Sequence, residues 1–170
     1  MAERTKLLHD CTVSKVTDFG QGYFELFLEC PELAANLKAG QFINVRVRDG
    51  YLPLLRRPFS SFDWIADARG RASGISILGH VVGQGTALMA KLTPGAKVSL
   101  NGPLGKPFEP PADLATRVIL VGGGIGLAPF LHVARQWPRL GHKHELALLA
   151  GARSKKDFVF MKRFAETGIE

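Results

Sequence analysis

Arg117-Val118-Ile119-Leu120-Val121-Gly122-Gly123-Gly124-Ile125-Gly126 is the stretch that decides the architecture of this chain. Its first half is a continuous apolar run, the pattern of a strand buried on both faces. Its second half is a glycine turn. Beyond it, Leu127 to Trp137 carries a helical pattern that Pro138 is expected to end. His144 to Ala150 reads as a second apolar strand and Lys156 to Glu166 as a second helical stretch. Strand, turn, helix and strand make a βαβ unit. Where a strand ends in glycines and opens a helix, backbone N–H groups and the positive end of the helix dipole face one point. Without Cβ atoms, a diphosphate can come close to that backbone. The spacing Gly122-x-Gly124-x-Gly126 departs from the dinucleotide fingerprint G-x-G-x-x-G, and no acidic residue ends the second strand to hold a ribose. Read by itself, the turn also fits tight strand-to-helix packing.

Upstream the period changes from helical to two. Phe42-Ile43-Asn44-Val45-Arg46-Val47 alternates cleanly, with Ile43, Val45 and Val47 on one face. Leu8 to Phe19 alternates loosely, and Tyr23 to Leu28 is an aromatic-rich strand. Further strands are expected at Arg57–Trp64, Gly74–Val82 and Ala96–Leu100, with a short helix over Thr86–Leu92. Gly20-Gln21-Gly22, Ala39-Gly40 and Asp49-Gly50 supply turns. Six short strands and one helix predict a six-stranded antiparallel barrel over residues 1–110. A proline-rich linker from Gly102 to Ala115 leads into an α/β part over residues 116–170.

Composition bounds the function. The chain has 170 residues, 46% apolar and 22% charged, with a net charge of +7. This is globular usage and excludes a disordered or low-complexity chain. No apolar run approaches the roughly 20 residues of a membrane span, and the N-terminus has no signal-peptide core. The positive charge is spread out, apart from Arg46/Arg48, Arg56/Arg57 and Lys155/Lys156, with no basic stripe of the kind that reads nucleic acid. An anionic cofactor or an acidic protein partner fits it better. Two cysteines, Cys11 and Cys30, are too few for a disulfide scaffold or a four-cysteine cluster, so the chain reads as cytoplasmic.

Two further segments suggest anion binding. Arg57-Pro58-Phe59-Ser60 offers a planar guanidinium fork and a hydroxyl around a rigid proline. Gly83-Gln84-Gly85-Thr86 sets two glycines and a hydroxyl at a helix start, where Thr86 also fits a plain N-cap. An arginine and a serine on a surface strand would look the same as the first segment. The two histidines of His142-Lys143-His144 lack a third metal ligand nearby, so no metal site is expected, and His132 is expected to pack or cap within its helix.

In their order along the chain, RPFS, GQGT, GPLG and LVGGGIGLAP resemble the ferredoxin–NADP reductase-like superfamily, in which a flavin-binding barrel precedes a nicotinamide-binding α/β domain. More narrowly, LLRRPFS, VVGQGT, LNGPLGKPF and VGGGIGLAP are similar to the electron-transfer subunits of NAD-linked dihydroorotate dehydrogenases. Reductase subunits of sulfite reductase and hydrogenase complexes are a second resemblance. The resemblance implies a flavoprotein that takes electrons from NAD(P)H, with NADH favoured, through FAD to a catalytic dehydrogenase or other redox subunit, as a hetero-oligomer or dimer. It implies that Arg57 grips the flavin diphosphate, Ser60 hydrogen-bonds the isoalloxazine as the one catalytic residue, and Phe59, after Pro58, lies along the ring. The amides of Gly83, Gly85 and Thr86 would close over the diphosphate. Gly122, Gly123, Gly124, Ile125 and Gly126 would form the pyridine-nucleotide loop, with Pro129 in the next helical turn and Arg153 beside the adenosine ribose.

A non-enzymatic nucleotide-binding module is the alternative function. The resemblance also marks departures. His80 follows Gly79 where many relatives carry an aromatic and then a basic residue. Relatives continue past the second strand of the α/β part, and the electron-transfer subunits add a four-cysteine [2Fe–2S] motif. Either the sequence is a fragment of a longer protein or the chain is a shortened relative; a fragment is expected, with the cluster present only if such a motif lies beyond Glu170.

Overall fold

The computed structural model describes residues 7–47 and 55–170; Arg48 and the expected Asp49-Gly50 turn lie outside these. Strand β1 (Leu8–Gly20) is followed by β2 (Tyr23–Glu29), helix α1 (Pro31–Asn36), β3 (Phe42–Arg46), β4 (Arg57–Ala66) and β5 (Ala72–His80). Helix α2 (Gln84–Ala90) and β6 (Lys97–Leu104) complete a closed barrel of order β1-β2-β5-β4-β3-β6, antiparallel throughout. The expected six-stranded antiparallel barrel is therefore present.

β1 closes the barrel because it is long enough to serve two neighbours. Its first part pairs with β6 and its second with β2, and an irregularity between Val13 and Lys15 marks the change. The period-two reading of β3 holds: Ile43, Val45 and Val47 are buried and Phe42, Asn44 and Arg46 are half-buried. They join Cys11, Val13, Leu26, Leu28, Ile75, Ile77 and Leu100 in the barrel interior. Helix α1 has no counterpart in the sequence reading. It carries proline in its first turn with Glu32 beside it, both favoured at a helix start, and it brings Leu33 and Ala34 under the barrel.

The α/β part consists of β7 (Val118–Gly123), a 3-10 turn over Gly124–Leu127, α3 (Ala128–Arg139), β8 (Leu146–Gly151) and α4 (Lys162–Ala165). β7 and β8 pair in parallel in register, as a βαβ unit requires. Three expectations need correction here. Pro138 does not stop α3: it occupies the last turn, and Leu140 N still donates to Gln136 O at 3.1 Å. The loss of one N–H costs least where the helix is ending anyway. The stretch Lys156–Glu166 is not one helix but a 3-10 turn at Lys155–Asp157 and the single turn of α4, parted by the aromatic and β-branched run Phe158-Val159-Phe160. Finally, β7 is covered on one face only. Leu120 is buried under α3, while Ile119 and Val121 are 56% and 67% exposed, because no described element lies on the other side.

The barrel and the α/β part share a second core. Tyr23, Phe62 and Leu78 on the outer face of the barrel meet Leu127, Ala128 and Leu131 of the turn and α3, together with Phe160 and Phe164. Phe62 lies edge-on to Phe160 and Phe164, at centroid distances of 6.3 and 6.2 Å. This explains why β2 is buried on both faces: Leu26 and Leu28 point inward, and Tyr23 and Glu25 are covered from outside.

Candidate functional site

Arg57, Pro58, Phe59 and Ser60 begin β4, and all four line one cleft of about 460 Å³. Thr86 of α2 lines the same cleft, as do Ile125 and Gly126 of the glycine turn. Three segments separated by up to 70 residues of chain thus share one cavity. Gly85 sits against Arg57 so closely that a Cβ there would overlap the guanidinium, and Arg57 Nη1 donates to Leu55 O. An arginine fork lies over a helix start that only glycine leaves open.

Thr86 is not the N-cap of α2. Gly83 occupies that position in extended backbone, and the helix begins two residues earlier than expected. The Thr86 hydroxyl reaches back instead: it accepts from Val82 N at 3.0 Å and Gly83 N at 3.2 Å and donates to Gly83 O at 3.0 Å. Its hydrogen-bonding capacity is spent on the shape of the turn. The first-turn amides, including that of Gly85, keep the orientation that suits an anion.

A second cleft of about 430 Å³ lies at the carboxyl ends of β7 and β8, lined by Gly123, Gly124, Gly151, Ala152, Arg153 and Asp157, with Tyr23 as its barrel wall. This is where ligands of open α/β sheets bind. Gly124 has φ +53°, a left-handed conformation that favours glycine, and no atom lies within 4 Å of where its Cβ would point. Gly122 is different in kind: its missing Cβ makes room for Phe130 and Leu127, so it serves packing. Pro129 stands in the first turn of α3 and lines neither cleft. Asp157 accepts from both the backbone N and the hydroxyl of Ser154 at 3.1 Å, which fixes the loop that carries Arg153.

Between the two clefts stand Tyr23 and His80, stacked at a centroid distance of 4.3 Å. At the next pair of the antiparallel ladder, Phe24 faces Gly79, and a Cβ on Gly79 would run into the Phe24 ring. Here an aromatic ring fills, from the neighbouring strand, the space beside residue 79.

The sequence reading missed a densely bonded ionic group among the described residues. Arg163 donates from Nε to Glu25 Oε2 at 3.0 Å and from Nη2 to Glu25 Oε1 at 3.1 Å, a bidentate fork. The same Nη2 donates to Asp63 Oδ2 at 2.6 Å, and Nη1 to Glu166 Oε2 at 2.8 Å. Arg135 of α3 forms ion pairs with Asp63 at 3.0 Å and Glu166 at 3.2 Å. Ser76 Oγ donates to Glu25 Oε1 at 2.6 Å. Glu25 is 1% exposed and Asp63 6%. Burial pushes the Asp63 carboxyl up to about 6, against the pull of Arg135 and Arg163 in the other direction. The one clue in sequence is an acid set among aromatic strand residues, as in Phe24-Glu25-Leu26-Phe27 and Phe62-Asp63-Trp64.

The remaining singled-out residues are structural. Cys11 and Cys30 are buried in the barrel core. His132 is fully buried, and desolvation pulls its imidazole down to about 4, so it packs as a neutral ring. His144 is also buried and lies against Trp137. Among the described residues no group of three or more metal-ligating side chains occurs, and no helix is long and apolar enough to cross a membrane.

No family model matches the chain. Its curated relatives include electron transfer subunits of dihydroorotate dehydrogenase B (NAD(+)). That of Fusobacterium nucleatum is 29% identical over 166 residues, 95% of this chain and 62% of the relative. That of Streptococcus mutans is 35% identical over 136 residues, 79% of this chain and 50% of the relative. That of Bacillus pumilus is 30% identical over 160 residues, 92% of this chain and 59% of the relative. The chain thus spans between half and two thirds of the length of these relatives. Among solved structures, an NADH-dependent reduced ferredoxin-NADP oxidoreductase superposes with a TM-score of 0.76 at 24% identity, over 99% of this chain and 56% of that one. A ferredoxin NADP+ reductase from Neisseria gonorrhoeae, with FAD and NADP bound, does so with a TM-score of 0.72 at 20% identity, over 95% and 64%. The similarity read from the ordered motifs recurs in the curated relatives, and the solved structures share the fold.

Proposed function

We propose, from the ferredoxin–NADP reductase-like fold of this chain, that it holds FAD in the β4–α2 cleft and a nicotinamide dinucleotide in the β7–β8 cleft. Electrons then pass from NAD(P)H through the flavin to a redox partner subunit. The observation that supports this reading is the convergence of Arg57–Ser60, Thr86 and the glycine turn on one cavity, beside a second cavity at the ends of the parallel strands.

When bound, the flavin supplies the chemistry, accepting a hydride from the nicotinamide and releasing electrons onward; the protein supplies binding, orientation and exclusion of water. Arg57 presents its fork to the diphosphate, and the Gly83–Thr86 turn adds backbone N–H groups to the same anion. Ser60 offers its hydroxyl to the isoalloxazine, and Phe59 and Pro58 form the wall along it. Gly123 and Gly124 would make room for the dinucleotide, while Ile125 and Gly126 of the same turn face the flavin cleft, and Arg153 would stand by the adenosine ribose with NADH as the preferred donor. The partner is a catalytic dehydrogenase subunit, by the names of the relatives one that oxidises dihydroorotate, in a cytoplasmic hetero-oligomer. A [2Fe–2S] cluster belongs to this scheme only if a four-cysteine motif follows Glu170, because Cys11 and Cys30 are committed to the interior.

The test is spectroscopic. The full-length protein should purify yellow, take up FAD and bleach with NADH. Arg57→Met should weaken FAD binding at least tenfold, the scale of a lost charge-assisted hydrogen bond. A colourless protein that takes up neither FAD nor FMN would overturn the reading.

A further inference from the structure

The buried ionic group joins three parts of the molecule that the proposed electron path needs in fixed relation. Asp63 lies three residues after Ser60 on β4, the strand that lines the first cleft. Arg135 lies on α3, which opens directly from the glycine turn. Arg163 comes from α4, beyond the loop that carries Arg153. Apolar contacts such as those around Phe62 supply adhesion without direction, because the hydrophobic effect is not directional. A bidentate guanidinium fixes both distance and rotation. Buried as these groups are, salt screens them little.

α3 is held to the barrel at two further polar points on the same face. Gln136 donates from Nε2 to Leu37 O at 3.0 Å and accepts from Ala39 N at 2.8 Å. The Arg139 guanidinium lies 4.6 Å over the Trp64 ring. Buried ion pairs are weak contributors to stability compared with apolar residues of the same volume, and their best use is to specify one arrangement among several.

Resting on the reading above, we propose that Glu25, Asp63, Arg135 and Arg163 are positioning residues. They set the separation and angle of the nucleotide cleft relative to the flavin cleft, and so the rate at which electrons cross between them.

The test removes the charges together, since loss of Arg163 alone would strip the buried Glu25 of its guanidinium and leave Asp63 with Arg135 only. In the full-length protein, Glu25→Gln, Asp63→Asn and Arg163→Met are combined. Spin labels are placed at Ser14→Cys on the barrel and Lys143→Cys before β8, both exposed positions, while Cys11 and Cys30 are buried. Without any cofactor, the label-to-label distance distribution should be a single narrow peak in the parent and at least twice as broad in the triple variant. FAD affinity should stay within threefold, and reduction of the bound flavin by NADH should slow tenfold or more. An unchanged distribution would overturn the positioning role whatever the flavin does. A broadened distribution with unchanged flavin reduction would overturn its link to electron transfer. If the parent's flavin stays oxidised under NADH, the functional reading has failed, and the distance measurement still decides whether the group positions the two parts.

Discussion

Replacing Asp63 by asparagine should remove a specific slope from the pH dependence of stability. The Asp63 carboxyl is raised from its ordinary 3.8 to about 6 because burial outweighs the attraction of Arg135 and Arg163. The folded state therefore binds this proton more tightly than the unfolded chain does. Stability from this group is greatest below pH 4, falls as the pH rises from about 4 to 6, and is level above that. A shift of roughly two units corresponds to about 3 kcal/mol between the two plateaus, since each unit is worth about 1.4 kcal/mol. Asparagine imitates the protonated acid in shape and cannot titrate. Urea unfolding of the parent and of Asp63→Asn at pH 4, 5, 6 and 7 reads the effect, because carboxylates remote from the cluster cancel in the difference. The parent should lose about 3 kcal/mol relative to the variant on going from pH 4 to pH 7. Parallel curves would refute the reasoning. A difference of opposite sign would show that the two arginines, not burial, govern this carboxyl.

Two further substitutions probe the turn and the joint. Thr86→Val keeps the shape of the side chain and removes three hydrogen bonds, but the freed amides lie where Val82 is 80% exposed and water can reach them. The stability cost should be near the lower end for hydrogen bonds, about 1 kcal/mol by urea midpoint, while FAD affinity by titration falls several-fold as the turn loses its shape. Phe164→Ala deletes a ring that is 1% exposed and edge-on to Phe62, which should cost about 3–5 kcal/mol in chemical denaturation. A loss below about 1 kcal/mol would mean that the seam between barrel and α/β part is loosely packed.

The parts of the fold that could be read from sequence are those governed by short range. Period two in Phe42–Val47 reports a strand with one face inward, and the glycine turn after Val121 reports a strand-to-helix junction, because both patterns are local. Helix α1 escaped because six residues hold too few turns to show a period. The single helix expected over Lys156–Glu166 failed because the aromatic and β-branched run Phe158-Val159-Phe160 interrupts it, a feature that a count of helical positions passes over. The continuous apolar run Arg117–Val121 promised burial on two faces, and the described residues cover one. For the site, the glycines and Arg57 announce themselves by type. Glu25 and Arg163, 138 residues apart, do not, since nothing in either neighbourhood names the other.

The ring of Phe24 over Gly79 has a consequence for how these strands can change. Two paired positions share one volume, and at present residue 24 holds all of it. A larger residue at 79 has no room until 24 shrinks, and a smaller residue at 24 leaves a gap until 79 grows. Neither step is comfortable alone, so the pair moves between its two arrangements only as a couple. Tyr23 and His80, the neighbours of this couple, form the wall between the clefts. A volume exchange made in the barrel interior would therefore be felt at the boundary across which the electrons are proposed to pass.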